Sequence, residues 1–210
     1  MEFSIDLASE AARQELLKEA ESSEKNTKYV QKSGLYIATV NKMWLEKFSS
    51  GSEAIKFNFD TDGGEANNVS LFVTKKDGTP SFGMNMIRSG FMVCSGLTKL
   101  TPITIPTDDK TETIYKNAEG TRVGVVLQVI KRNGKGRNTD KVYSNYEIKT
   151  FFNPDNNLTG SEMLSGVTEA AKLATFIDGL EDIDETNNLN MTKDKGKQDF
   201  FKADSDDVPF

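Results

Sequence analysis

Histidine is absent from the 210-residue chain. Without imidazole there is no Ser-His-Asp or Cys-His dyad, no His-ligated zinc and no His general base. Cysteine is nearly absent. Cys94 stands alone, which excludes an intrachain disulfide and a thiolate metal cluster. It lies in an apolar run and reads as a small core residue, and a reducing compartment fits this usage. Long apolar runs are missing too, since no window approaches the roughly 18 apolar residues of a membrane span. The N-terminus, MEFSIDLASE, lacks the basic-then-apolar order of a secretory signal. The expected location is therefore cytoplasmic. Asn68-Val-Ser70, Asn157-Leu-Thr159 and Asn190-Met-Thr192 match the glycosylation pattern, which means little without a secretory signal. Hydrophobic residues make up 36%, low for a wholly compact chain, so part of it is expected to be disordered.

The net charge is −6. Taken as one number it argues against nucleic acid, because a polyanion does not seek a polyanion. Its distribution reverses that reading. Residues 1–27 carry net −4, residues 28–150 carry 18 basic and 12 acidic side chains for net +6, residues 151–177 carry −2, and residues 178–210 carry −6. A basic centre sits between acidic ends.

The pattern along the chain gives the organisation. Residues 1–27 are polar and Ala/Glu-rich, with a thin apolar stripe (Ala12, Leu16, Ala20) that predicts a helical arm. Gly34–Phe48 is β-branched and aromatic and alternates imperfectly, as a curved strand with a bulge would. Ala54–Asp60 places Ile55, Phe57 and Phe59 on one face and Lys56, Asn58 and Asp60 on the other. Asn68–Lys76 alternates again, with Val69, Leu71 and Val73 inward and Ser70, Phe72 and Thr74 outward. Met84, Ile87, Phe91 and Cys94 recur at helical spacing through Gly96. An irregular connection with Pro102 and Pro106 follows, then strands over Thr121–Ile130 and Tyr143–Phe152. Thr159-x-x-Glu162 is a capping box opening a helix with Met163, Val167, Ala170, Ala174 and Ile177 on one face. After Gly179 the apolar content falls away.

Strand, strand, strand, helix, strand, strand describes an all-β core with peripheral helices, specifically an OB-fold: a five-stranded Greek-key barrel with a helix between strands 3 and 4. The expected layout is an acidic helical arm (1–27), the barrel (28–153), an accessory helix (154–178) and a disordered acidic tail (179–210).

Cations concentrate in the presumed hairpin loop after the fourth strand: Lys131, Arg132, Lys135, Arg137 and Lys141, with Asp140 the only acid. Lys75 and Lys76 close the third strand. A solvated hairpin tip explains such runs, and so does a finger that tracks phosphates. Gly134 and Gly136 make neither a Walker A motif nor a dinucleotide fingerprint. Aromatics favour the finger. Phe72 and Tyr143 fall on outward phases, Phe72 near Lys56, and Trp44 and Phe48 end the first strand. Bases stack on exposed rings at roughly 1–3 kcal/mol each while cations hold the backbone. Phe57, Phe59, Tyr146 and Phe91 read as core.

The chain ends Asp206-Asp207-Val208-Pro209-Phe210. This ending resembles the acidic tip of single-stranded DNA-binding proteins, and the helical connection together with the capped helix resembles bacteriophage-encoded members. The resemblance implies a non-catalytic, sequence-nonspecific protein that coats single-stranded DNA in replication, recombination and repair. It also implies that Asp206, Asp207, Val208, Pro209 and Phe210 dock on replication or recombination proteins. Phe210 would offer a ring and a terminal carboxylate, and the acids would steer the encounter. The expected location then becomes the cytoplasm of the host cell.

The candidate DNA-binding residues are Trp44, Lys56, Phe72, Lys75, Lys76, Lys131, Arg132, Lys135, Arg137, Lys141 and Tyr143. No cofactor, metal or membrane is expected, and the sequence leaves open whether the chain forms a homo-oligomer. The −6 tail is expected to compete with DNA for the basic surface. Rival readings are an RNA-binding barrel, a metal-dependent nuclease using Asp60/Asp62 or Asp108/Asp109, and a protein whose acidic ends mimic DNA.

Overall fold

The structure, a computed structural model, describes Gln14 and residues 28–106, 111–134 and 141–186. The helical arm, the tip residues Asp206–Phe210, and Lys135 and Arg137 lie outside the described residues.

The body is mostly antiparallel sheet. Strands β1 (Gly34–Lys47), β2 (Glu53–Thr61) and β3 (Gly64–Thr74) form a meander. The bulge in β1 falls between Val40 and Lys42, where an extra residue bends the strand. The bend lets one edge of β1 serve two partners. Its first half pairs with β6 (Arg122–Asn133) and its second half, at Trp44 and Leu45, with β5 (Thr111–Ile114). Strand β3 begins earlier than its alternation suggests. Asn68 adopts φ 58 and its N–H meets the Asn58 side chain at 2.9 Å, so a bulge, not a loop, occupies the Asn67-Asn68 step.

The irregular connection is in fact a hairpin. Strand β4 (Ile103–Pro106) pairs with β5, and β4 is the terminal strand of the order β3-β2-β1-β5-β4. Strands of four residues, one of them bounded by Pro102 and Pro106, leave little alternation to read. Strand β6 pairs on its other side with β7 (Val142–Phe152). Strands β3 and β7 lie side by side without a hydrogen-bonded ladder, so the sheet does not close.

Between β3 and β4 runs helix α1, Phe82–Ser95, whose middle, Met86–Met92, is wound as a π-helix. Ile87, Phe91 and Cys94 are buried from it. The sequence spacing gives the helix but not the wider winding. Phe57, Phe91 and Phe151 meet with ring centroids 5.4–6.1 Å apart, Phe59 stacks on Phe57 at 4.9 Å, and this aromatic group is the centre of the core. Tyr146 also packs there. Burial pushes its phenol up to about 12, and its hydroxyl donates to the Val30 carbonyl at 3.1 Å.

The capped helix is shorter than its stripe predicts. Helix α2 covers Gly160–Leu164, Gly166 turns the chain at φ 70, and helix α3 resumes over Lys172–Asp178. Val167 and Ile177, expected on a buried face, are exposed; Leu173 is buried instead, against Val126 and Phe152. Glu162 joins the two helices. Its Oε2 accepts from the Thr159 N–H (2.8 Å) and hydroxyl (2.7 Å), and its Oε1 accepts from the N–H groups of Ala171 and Lys172, both at 2.8 Å. Burial opposes the Glu162 charge, but these donors outweigh it and hold the carboxyl down to about 2. Gly160 permits the seating of α2 on α1, because a Cβ there would lie 1.6 Å from the Ser89 carbonyl oxygen.

Residues after Gly179 are not structureless at once. Ile183–Asp184 forms strand β8, parallel to β6 at Ile130 and Lys131. Among the described residues no helix is long and apolar enough to cross a membrane.

Candidate nucleic-acid interface

The predicted site residues fall into two patches. The first is the outer face of β1, β2 and β3. Trp44 sits directly opposite Lys56, and Lys56 opposite Ser70. Phe72 is two residues beyond Ser70, on the same face, and 48% exposed. The Phe48 ring packs beside it, centroids 5.5 Å apart at 32°. Trp44 is half-buried, with the Lys42 ammonium 5.0 Å from its ring centroid. That ammonium also pairs with Glu112 at 2.8 Å.

Lys56 is less available than its alternation suggests. Its ammonium lies 2.7 Å from Glu46, and its side chain is 18% exposed. Glu46 is on the neighbouring strand two residues beyond Trp44, a diagonal cross-strand neighbour of Lys56. Lys75 and Lys76 differ. They stand exposed in the turn after β3, with no ion pair among the described residues. The turn is fixed by Lys75 N–H donating to the Thr79 carbonyl (2.8 Å) and Gly78 N–H donating to the Lys75 carbonyl (3.0 Å). Asp77 accepts from the hydroxyl and N–H of Thr79, which hold its carboxyl below the usual range. A Cβ on Gly51 would lie 3.2 Å from the Lys76 carbonyl, so the β1–β2 turn abuts this one.

Sequence reasoning missed Phe82. It is 75% exposed at the start of α1, outside the stripe that identifies the helix. Ser81, just before it, donates its hydroxyl to the Phe72 carbonyl, which ties the two aromatic positions together. Its signal in the sequence is the Pro80-Ser81 step, which places a large ring at a helix start rather than in the core. Lys42 was missed as well, because only the bulge brings it to the outer face beside Trp44.

The second patch lies at the far end of β6 and β7. Lys131 and Arg132, expected in a loop, are strand residues, because β6 runs on to Asn133. Arg132 is directly opposite Tyr143, which is exposed, as are Lys141 and Val142. Here the acidic segment intervenes. The Arg132 guanidinium meets Glu185 at 2.6 Å and 3.4 Å. Burial opposes the Asp182 charge, but the hydroxyl and N–H of Ser33 and then the charge of Lys131 keep its carboxyl low. Asp184 is held low by Thr186 donors, again with Lys131 nearby. Further bonds anchor the segment. Gln128 donates to the Glu181 carbonyl (2.9 Å), Ser33 N–H to Asp182 (2.5 Å), Glu185 N–H to the Lys131 carbonyl (2.9 Å), and Asn133 to the Thr186 carbonyl (2.8 Å).

Asp62 accepts the Ile37 N–H at 3.2 Å, Asp108 and Asp109 lie outside the described residues, and no cluster of three or more Cys, Asp or Glu side chains suited to a metal occurs among the described residues.

The two patches therefore share ingredients but differ in state. In one, Lys75 and Lys76 are exposed with no ion pair among the described residues; in the other, Arg132 is paired with Glu185 while Tyr143 and Lys141 are exposed. No protein-family model matches this chain, and no curated protein matches it.

Proposed function

We propose that the chain is a non-catalytic, sequence-nonspecific single-stranded DNA-binding protein built on an open OB-type barrel. It would coat exposed strands in replication, recombination and repair and recruit partners through Asp206–Phe210. The strand order supports the OB reading: β1 pairs with β2 and β6, β2 with β3, β6 with β7, and α1 follows β3. One observation carries the functional reading. Phe72 and Phe82 are exposed, the half-buried Trp44 shares the outer face with Phe72, and Lys75 and Lys76 are exposed in the turn after β3 with no ion pair among the described residues. Rings give bases a sequence-independent platform, and lysines follow the phosphates.

The test is a titration of the full chain with fluorescent single-stranded DNA, duplex DNA and single-stranded RNA at two salt concentrations. The expected result is tightest binding to single-stranded DNA, weakened by salt. Preference for duplex, or indifference to salt, overturns the proposal. Preference for RNA moves it to the RNA-binding class.

A further inference from the structure

The β4–β5 hairpin carries a second surface. Strand β4 is the last strand on its side of the sheet, all of its residues are exposed, and no described strand pairs with its outer edge. Open edges are normally guarded by charge, by proline or by shortness, because their free N–H and C=O groups recruit other strands; β4 is short, with Pro102 before it and Pro106 at its end, but has no charge. Residues 101–107 contain no charged side chain. Ile103 and Ile105 are 46% and 41% exposed, although both are β-branched residues suited to packing across a ladder.

The sequence says which strand fits. Thr101-Pro102-Ile103-Thr104-Ile105-Pro106-Thr107 reads identically in both directions about Thr104. A two-fold interface must be self-complementary, each residue meeting its counterpart under the axis. Antiparallel pairing centred on Thr104 places Ile103 opposite Ile105 of the other copy, Pro102 opposite Pro106, and Thr104 opposite itself. An unrelated partner would not require this symmetry. Proline lacks an N–H, so Pro102 and Pro106 end the ladder on both sides and limit it to one short pairing.

We propose that β4 is a self-recognition edge, through which a second copy of this chain adds antiparallel, in register about Thr104, to form a weak two-fold dimer.

Two experiments on the full chain test this. In sedimentation velocity across a concentration series, the wild-type mass should rise from one chain toward two. The double variant Ile103→Lys/Ile105→Lys should stay at one chain with an unchanged circular dichroism spectrum. Register is tested by cysteine substitution, because opposed residues of antiparallel strands lie about 4.5–5.5 Å apart, within disulfide reach, whereas diagonal ones lie roughly 7–8 Å apart. Thr104→Cys should cross-link to itself under mild oxidation. Ile103→Cys should not cross-link alone, and should do so when mixed with Ile105→Cys. The native Cys94 is buried and does not compete. A chain that stays single at every concentration, a dimer that survives the double lysine variant, or equal cross-linking by Thr104→Cys and Ile103→Cys would each overturn the proposal.

Discussion

The β2–β3 face and the β6–β7 end are made from the same residue types and expose a ring each, Phe72 and Tyr143, but their cations differ in which are ion-paired. At the first, Lys75 and Lys76 are exposed in the turn after β3 with no ion pair among the described residues, Lys75 acting on Asp77 only through its charge. At the second, Glu185 pairs with Arg132, and the charge of Lys131 contributes to holding the Asp182 and Asp184 carboxyls low. Composition predicts where cations are. Register and topology decide whether they are already occupied.

The largest expected effect tests what holds the acidic cover in place. Glu162 fixes α3 to α2, and the chain passes from α3 into the acidic segment. Glu162→Ala removes charge-assisted bonds to buried donors and should cost about 3 kcal/mol in urea unfolding. The same carboxyl gives a pH signature. Its folded pKa lies below the ordinary 4.5, so its stabilisation is complete above pH 4.5 and is lost as pH falls toward about 2. In Glu162→Gln that part of the acid dependence should vanish. An unchanged profile would mean that the bonds do not persist in solution.

Next come the rings. Trp44→Ala and Phe72→Ala should each weaken single-stranded DNA binding by roughly 1–3 kcal/mol in fluorescence titration. Tyr143→Ala should cost less than about 0.5 kcal/mol, the scale of an unengaged surface position. Equal losses at Phe72 and Tyr143 would erase the difference between the patches.

Smaller still is the salt response. Lys75→Gln/Lys76→Gln should flatten the slope of log affinity against log salt by about 1.4, the value for two phosphates of a single strand. Arg132→Gln should leave the slope unchanged. The smallest effect is a gain. Glu185→Gln frees Arg132 and should tighten binding by no more than roughly fivefold at low salt, since an exposed ion pair is worth about 0–1 kcal/mol and is screened as salt rises. No gain at low salt would mean that Arg132 does not reach DNA.

What was legible in the sequence follows from periodicity. Ile55/Phe57/Phe59 and Val69/Leu71/Val73 alternate without interruption and are buried as the pattern requires. The bulge in β1 announced itself as broken phase. Thr159 and Glu162 announced a helix start because the chemistry of a cap is local. Features that depend on distant residues did not show. Four-residue β4 and β5 are too short for alternation, and β8 exists only because β6 offers it an edge. The apolar stripe of residues 163–177 continued past Gly166, although the helix does not. The pairing of Lys56 with Glu46 and of Arg132 with Glu185 needed the register, which local pattern does not contain.

Strand β6 is longer than the stretch of β1 that pairs with it. Its last β1 partner is at Leu127, and its ladder with β7 continues to Asn133. The acidic segment takes the edge left over, where Ser33 and Asp182 meet across 149 positions of sequence. The segment thereby ties the C-terminal side of the described body to the strand at its start, so that one edge of β6 is shared between β1 and residues far along the chain.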